Sequence, residues 1–468
     1  MRQTVYMLGA VVVSGVLWHF GTGLRPVPGL AFLAPLPVLL LVPRVSAGVA
    51  FAAGALSWLG GEAQLWSYFR DTLEQPAPFT IALLGGSALV FGALIVLNRA
   101  LLLRNRPAIA ILALPAGWVT LEFVLSLAGN TGAWWSVAYT QAGVLPLMQS
   151  VSITGVWGIT FLLLLAPSVL AAMVNSTGRQ RIRIAIPALA MVAAVAGFGA
   201  WRLATPVRGD TVRVGLVAVS QPPDYIPVDS ADGRDMISRA LTEIEALADR
   251  GARAIVLPEK AWRADESTLP QLSGPMTEVA TRRGIHIVAG LVLTRAGESI
   301  NAAIDYPSGV IYAKHYLVPG LEDDLTPGTA YQPVPGEPWS LAICFDLDRP
   351  NLVRDNRNLG SRLLLVPALD FTDDHWLHSR MAVIRGIESG IPVARAAQLG
   401  ELTASDPRGH VSASAGTDLD HTRAVLADLP LASGRTVYAR FGDWFAYLAA
   451  ALFALTIVAA FRRSAARP

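Results

Sequence analysis

Eight stretches of this 468-residue chain stay apolar long enough to be read as bilayer spans, and that constrains the fold before anything else does. They lie near residues 5–20, 28–43, 46–60, 79–103, 107–127, 156–174, 184–204 and 444–461. A hydrocarbon core of about 30 Å takes roughly 20 helical residues to cross. In lipid a segment must satisfy its own backbone hydrogen bonds, so each stretch is expected to be a helix. Composition agrees: 53% of residues are hydrophobic and 15% charged, against roughly 45–50% and 25% in soluble domains. Only Arg2 precedes the first stretch, no small-residue cleavage site follows it, and a second apolar run comes close behind. It reads as a retained anchor, not a removed signal peptide.

Between the seventh and eighth stretches, residues 205–440 carry frequent charges and only strand-length apolar runs. The expected organisation is therefore a membrane α-helical bundle of about seven helices over 1–204, an α/β domain over 205–440, and a last helix with a short tail over 441–468. Arginines in short loops orient the bundle, because basic residues stay on the cytoplasmic side. With the N-terminus inside, Arg2, Arg44, Arg104, Arg106, Arg179, Arg181, Arg183, Arg462, Arg463 and Arg467 all fall on that side, and only Arg25 and Arg70 do not. The same count sends 205–440 to the extracytoplasmic face. Two outside loops, SWLGGEAQLWSYFR (57–70) and GNTGAWWSVAYTQ (129–141), are rich in aromatics. They suit either an interfacial belt or a lipid-facing mouth. Glu122, inside the fifth stretch, needs a partner or a cavity.

Within 205–440 strand and helix patterns alternate. TVRVGLVAVS (211–220) reads as a buried strand, MISRALTEIEALADRG (236–251) as an amphipathic helix, and ARAIVLPE (252–259) as a strand running into a carboxylate. Three apolar runs end in reactive groups: Glu259 in VLPEKAW, Lys314 in YAKHYLVP, and Cys344 in AICFDLD. Cys344 is the only cysteine, so no internal disulfide and no multi-thiolate metal site exists in this chain. A thiol with an ordinary pKa of about 8.5 needs a base and a nearby cation to act as a nucleophile at neutral pH. Glu259 is a candidate base and Lys314 a candidate cation for an oxyanion. Spacing alone leaves a plainer reading open, an inert buried thiol and two solvated loop charges.

PEKAW, KHYLVPGLE and ICFDL, in that order, resemble the signature segments of the nitrilase, or carbon–nitrogen hydrolase, superfamily. With the membrane stretches in front, the chain resembles the apolipoprotein N-acyltransferase family: GAWWSVAYTQ, SITGVWGITFLLLL, IRGIESGIPVARAAQLGELTASDPRGHV and TVYARFGDWFAYL carry the likeness almost end to end. The resemblance implies a nitrilase-like αββα sandwich with Glu259 as base, Lys314 as oxyanion stabiliser, Cys344 as nucleophile and Glu322, Phe345 and Asp346 supporting them. It implies transfer of an acyl chain from a phospholipid through a Cys344 thioester to the α-amine of a diacylglyceryl-cysteine lipoprotein. The setting implied is a bacterial inner membrane, the protein acting as a monomer without metal or other cofactor. Phe345 and Asp346 stand where the family shows Tyr-Glu, LVPGLE replaces LVP-Phe-Gly-Glu, and LLLVPALDFTDDHW (363–376) departs from the usual Asn-Asp-x-Trp-Phe segment. These departures keep open a membrane-tethered carbon–nitrogen hydrolase or an N-acyltransferase for a different amine. A non-catalytic scaffold is a third reading.

Other signals point elsewhere. DDHWLH (373–378) offers carboxylates and an HxxH pair but reads as a helix start capped by Asp373 or Asp374. His315 reads as a loop histidine beside Lys314, or as a group tuning it. A formal net charge of +2 gives no footprint for nucleic acid, and no GxSxG, HExxH or phosphate-binding glycine loop occurs. Residues 321–338, rich in proline, glycine and acid, are a candidate lid or a connector.

Overall fold

The computed structural model describes residues 2–128, 131–207, 209–222 and 225–462. Arg463 and Arg467 of the tail, and Gly129 and Asn130 of the second aromatic loop, lie outside the described residues. The chain divides into two units. Met1–Gly129, Trp135–Arg202 and Asp443–Pro468 form the first, and Asn130–Trp134 with Leu203–Gly442 the second.

The first unit is helical. Among the described residues five helices are long and apolar enough to cross a membrane: Ala77–Leu103, Pro107–Leu127, Val156–Val174, Gly178–Ala204 and Trp444–Phe461. The other three stretches are also helical: Arg2–Gly21 runs 20 residues, Leu30–Arg44 is interrupted, and Ala47–Glu62 is 16 residues long. Leu30–Arg44 is not continuous: Leu30–Leu33, Leu36–Leu41 and the tighter turn Val42–Arg44 follow one another. Pro35, Pro37 and Pro43 lie in this stretch, and each lacks the N–H that would continue the backbone ladder.

Glu122 finds structural partners in this unit. Its carboxylate accepts from Trp118 Nε1 at 3.1 Å, Val137 N at 2.9 Å, Ser136 Oγ at 2.9 Å and Thr160 Oγ1 at 2.8 Å. It thereby ties together the helices Pro107–Ala128 and Val156–Val174 and the turn Val137–Gln141. The first aromatic loop is partly helix: Ser57–Glu62 completes Ala47–Glu62, and Trp58 is fully buried against Trp118, Trp18 and Phe91, with ring centroids 4.3, 4.8 and 5.3 Å away. Trp58 is therefore a packing residue, not part of a belt or a mouth.

The second unit contains strands β1 (Thr211–Ala218), β2 (Ile226–Pro227), β3 (Ala254–Val256), β4 (Trp262–Asp265), β5 (His286–Arg295), β6 (Glu298–Tyr306), β7 (Ile311–Ala313), β8 (Trp339–Leu341), β9 (Leu363–Leu369), β10 (Val393–Gln398), β11 (Glu401–Ser405), β12 (Val411–Gly416) and β13 (Arg423–Pro430). One sheet runs β13-β1-β3-β5-β4-β2, with β6 paired to β5 and β7 to β6; the other runs β12-β11-β10-β9-β8.

Side-chain parity builds the layers, because alternate residues of a strand face opposite ways. Leu363 and Leu365 of β9 face inward with Leu341, Ala396 and Leu402 against Val214, Leu216, Val256 and Val288 of the first sheet. Leu364 and Val366 face outward against Leu352, Val353 and Ala382 on the helices Pro350–Asn358 and His375–Ser389. On the far side of the first sheet, Ile255, Ile287 and Leu291 pack against Met236, Ile244 and Met276 of the helices Ala231–Asp249 and Pro270–Arg283. The order is helix, sheet, sheet, helix. The helix expected from 236 begins at Ala231, because Ser230 caps it by accepting from Gly233 N at 2.9 Å.

Candidate active site

Glu259, Lys314 and Cys344 each follow the C-terminal end of a short strand: β3, β7 and β8. These strands belong to both sheets, so the three groups meet where the sheets face each other and not along a single sheet edge. Glu259 is fixed at its backbone, whose N–H donates across to Ala368 O at 3.2 Å. Its approach needs a glycine: a Cβ at Gly290 would stand 2.3 Å from Pro258 O and 2.6 Å from Glu259 Cα. The backbone N–H of Lys314 donates to Asn301 O at 2.8 Å.

Cys344 opens the tight turn Cys344–Asp348 with φ +39°, a left-handed conformation that costs a non-glycine residue roughly 1–3 kcal/mol. Asp346 holds this turn from within. It accepts from Tyr312 Oη at 2.6 Å, Ile343 N at 2.9 Å, Tyr316 N at 2.9 Å and His315 N at 3.1 Å, tying the turn to the segment after Lys314. Phe345 is half-buried beside the cysteine.

The charged groups form one closed cluster. Lys314 Nζ donates to Glu259 Oε1 at 2.7 Å and to Glu322 Oε2 at 2.8 Å, and all three side chains are almost fully buried. Lys260 Nζ reaches Glu322 Oε1 at 2.9 Å, and Asn301 Nδ2 donates to Glu259 Oε1 at 2.6 Å and Glu322 Oε1 at 2.8 Å. Val318 N donates to Glu322 Oε2 at 2.9 Å and Leu369 N to Glu259 Oε2 at 2.9 Å. A carboxylate offers about four lone-pair positions. Glu322 has two donors on each oxygen, so it is filled. Glu259 has two on Oε1 and one on Oε2, and the position left on Oε2 can take a proton. Two carboxylates against two lysines also balance charge, which a buried cluster requires.

Electrostatics follows this geometry. Burial disfavours the Lys314 ammonium, but Glu259 and Glu322 outweigh it and hold its pKa above the ordinary lysine value. Burial likewise disfavours the Glu322 carboxylate, and Lys314 with Lys260 overcomes that, lowering it to about 2. Burial and the Glu259 charge push the Cys344 thiol well up, against the pull of Lys314 and Arg395. The resting thiol is therefore protonated, and its Sγ–H donates to Leu369 O at 3.4 Å.

Sequence reading missed Asn301, Lys260 and the Leu369 peptide. Lys260 stood beside Glu259 in PEKAW, but nothing local marks Asn301 as the donor bridging two carboxylates, because that role depends on the pairing of β6. His315 is stacked between Tyr312 and Tyr331, with centroids 5.4 and 5.1 Å away, and its Nδ1 lies 2.9 Å from Tyr312 Oη. Asp374 does hold the cap position of the helix His375–Ser389, yet its side chain makes no cap and lies 3.3 Å from His378 Nδ1.

Residues 14–169 match the apolipoprotein N-acyltransferase N-terminal domain, and residues 216–437 match the carbon-nitrogen hydrolase domain. The chain is 26% identical to an apolipoprotein N-acyltransferase of Geobacter metallireducens over 97% of its own length and 95% of the relative's. It is 28% identical to one of Bradyrhizobium diazoefficiens over 85% and 81%. Over most of its length the chain is similar to apolipoprotein N-acyltransferases. An amidase from Nesterenkonia sp. is similar in structure over 51% of this chain and 96% of its own, with 19% identity and a TM-score of 0.41. The chain joins apolar helices long enough to cross a membrane to a nitrilase-like α/β unit.

Proposed function

We propose that this protein transfers a fatty acyl chain from a phospholipid to the N-terminal amine of a diacylglyceryl-cysteine lipoprotein, with Cys344 as the acyl carrier. The observation that carries the reading is the buried Glu259–Lys314–Glu322–Lys260 cluster beside the only thiol of a membrane protein. Similarity to relatives named apolipoprotein N-acyltransferase supports the substrate class.

The chemistry runs in two halves. Glu259 Oε2 takes the thiol proton as Sγ attacks the ester carbonyl of the donor, and the Lys314 ammonium stabilises the oxyanion. Collapse breaks the acyl C–O bond, and Glu259 returns the proton to the departing glycerol oxygen, leaving a thioester and a lysophospholipid. In the second half a neutral amine attacks the thioester, Glu259 accepts a proton from the nitrogen, and the C–S bond breaks. Glu259 then reprotonates the thiolate, so protons and charge balance over the cycle. Neither half draws on a metal or cofactor. The reading sets the catalytic unit, residues 205–440, on the extracytoplasmic face of the bacterial inner membrane, where both lipid-borne substrates would meet it, and the arginine distribution supports that orientation.

Purified protein in vesicles containing an acyl-labelled phospholipid tests this. The expected result is a hydroxylamine-sensitive label on the wild type, absent from Cys344→Ala, and chased onto a diacylated lipopeptide. Active enzyme that never carries label refutes the covalent route. Label that is released only to water, with unchanged lipoprotein N-termini in a deletion strain, points instead to a hydrolase.

A further inference from the structure

The backbone of Leu369 connects the two reacting groups through the two peptide groups that flank its Cα. Its N–H donates to Glu259 Oε2 at 2.9 Å and its C=O accepts from Cys344 Sγ at 3.4 Å. It is the last residue of β9, beyond which the ladder with β10 ends at the pair Gln398 and Leu369. Residue 370 therefore decides whether this backbone stays in place.

Asp370 is held on every side. Arg395, from the neighbouring strand β10, grips it with both guanidinium nitrogens, Nη1 to Oδ2 at 2.9 Å and Nη2 to Oδ1, and both side chains are almost fully buried. His378 Nδ1 lies 3.5 Å from Asp370 Oδ1 and 3.3 Å from Asp374 Oδ1. The Asp370 backbone N–H donates to Gln398 O at 2.9 Å. Gly400 makes room for the carboxylate, since a Cβ there would stand 2.1 Å from Asp370 Oδ2. Burial disfavours the Asp370 carboxylate, but Arg395 and His378 keep it ionised, so the fork is a true ion pair. A planar bidentate pair fixes orientation as well as distance, which a lysine ammonium does not.

We propose that the Asp370–Arg395 pair is a positioning device: it locks the backbone of Leu369, whose two flanking peptide groups hold Glu259 and Cys344 in register for proton transfer. Neither side chain hydrogen-bonds the thiol or the base; their charges reach the thiol in opposite senses, Asp370 raising and Arg395 lowering its pKa, while their hold on position runs through Leu369. The inference rests on Cys344 being the nucleophile. Its consequence for the thiol is separable from that reading, because with one cysteine in the chain every alkylation event reports Cys344.

The test is Arg395→Lys, which keeps the charge and removes the fork. Acyl transfer and the pH dependence of iodoacetamide alkylation are measured on the full-length protein in detergent. A loosened Leu369 carbonyl no longer favours the protonated thiol, so the alkylation midpoint moves down by about half a unit and the rate at pH 7 rises about threefold. At the same time kcat falls by roughly tenfold to a hundredfold, with KM within about twofold, because a misplacement of order 1 Å costs on that scale. General loosening would also expose the buried thiol and speed its alkylation, so the pairing supports positioning when the melting temperature of Arg395→Lys matches the wild type, and a fall in melting temperature that accounts for the faster alkylation overturns it. A variant with wild-type kcat, or with reduced kcat and an unchanged alkylation profile, overturns the proposal. If Arg395→Lys does not fold, Gly400→Ala pushes the same carboxylate aside without altering any charge, and the same two readouts decide. Should Cys344→Ala retain transfer, the nucleophile reading fails by itself, and the alkylation profile still decides whether the pair positions the thiol.

Discussion

Glu322 shows how one carboxylate sets the condition of the whole cluster. It binds both lysines, and every lone-pair position is used, so its task is to hold charge and not to move protons. Its pKa of about 2 in the folded protein lies below the ordinary glutamate value of about 4.3. A depressed pKa stabilises the fold above the unfolded value, and that contribution is lost as pH falls through the folded one. Thermal stability should therefore decline between about pH 4 and pH 2 as this carboxylate protonates. Lys260→Met removes one of the two cations, so Glu322 should protonate at a pH about one unit higher and the decline should begin correspondingly earlier. Melting temperature followed against pH in both proteins checks this; superimposable curves would mean Lys260 does not sustain the ionised state.

At the scale of elements, the sequence disclosed strands well and turns poorly. The apolar runs ending in Glu259, Lys314 and Cys344 were legible because a strand ending in a polar residue leaves a local pattern. That the three ends come from two sheets was not legible, since pairing order is a long-range property. Asp346, read from its position as a supporting carboxylate, turns out to hold four donors around the nucleophile turn, a role visible only once that turn exists. The second aromatic loop is a similar case. Ala133 N donates to Asp348 O at 2.8 Å at the end of the Cys344–Asp348 turn. Gly132 has φ +58° and would place a Cβ 2.4 Å from that same oxygen. Gly132→Ala should thus lift this segment off the turn. The expected cost is about 1–3 kcal/mol of stability from overpacking against fixed backbone, with a change in the rate of Cys344 alkylation. Unaltered melting and alkylation would show that the segment only rests against the turn.

The whole molecule poses a question of parity. Eight crossings would place the α/β unit opposite the arginine-rich loops; beyond the five long helices, parity rests on three segments, the 20-residue Arg2–Gly21, the proline-broken Leu30–Arg44 and Ala47–Glu62. Each of those three contributes helix, and 16 residues of Ala47–Glu62 at about 1.5 Å each extend roughly 24 Å, short of a full hydrocarbon core. Hydropathy therefore cannot decide how many of them cross, but charge can: an arginine held on one side by its loop fixes the crossings on either side of it. Arg104 and Arg106 flank Asn105 at one exposed turn, while Asp229 is exposed on the α/β unit. Because Cys344 is the only native cysteine, Cys344→Ala leaves a background with no thiol in which single reporters can be placed. In intact cells a membrane-impermeant maleimide should label Asp229→Cys and leave Asn105→Cys unlabelled until the membrane is permeabilised. Labelling in the opposite order would require an odd number of crossings among the segments before the α/β unit to be lost, and would put the proposed acyl transfer on the wrong side of the membrane for an exported lipoprotein.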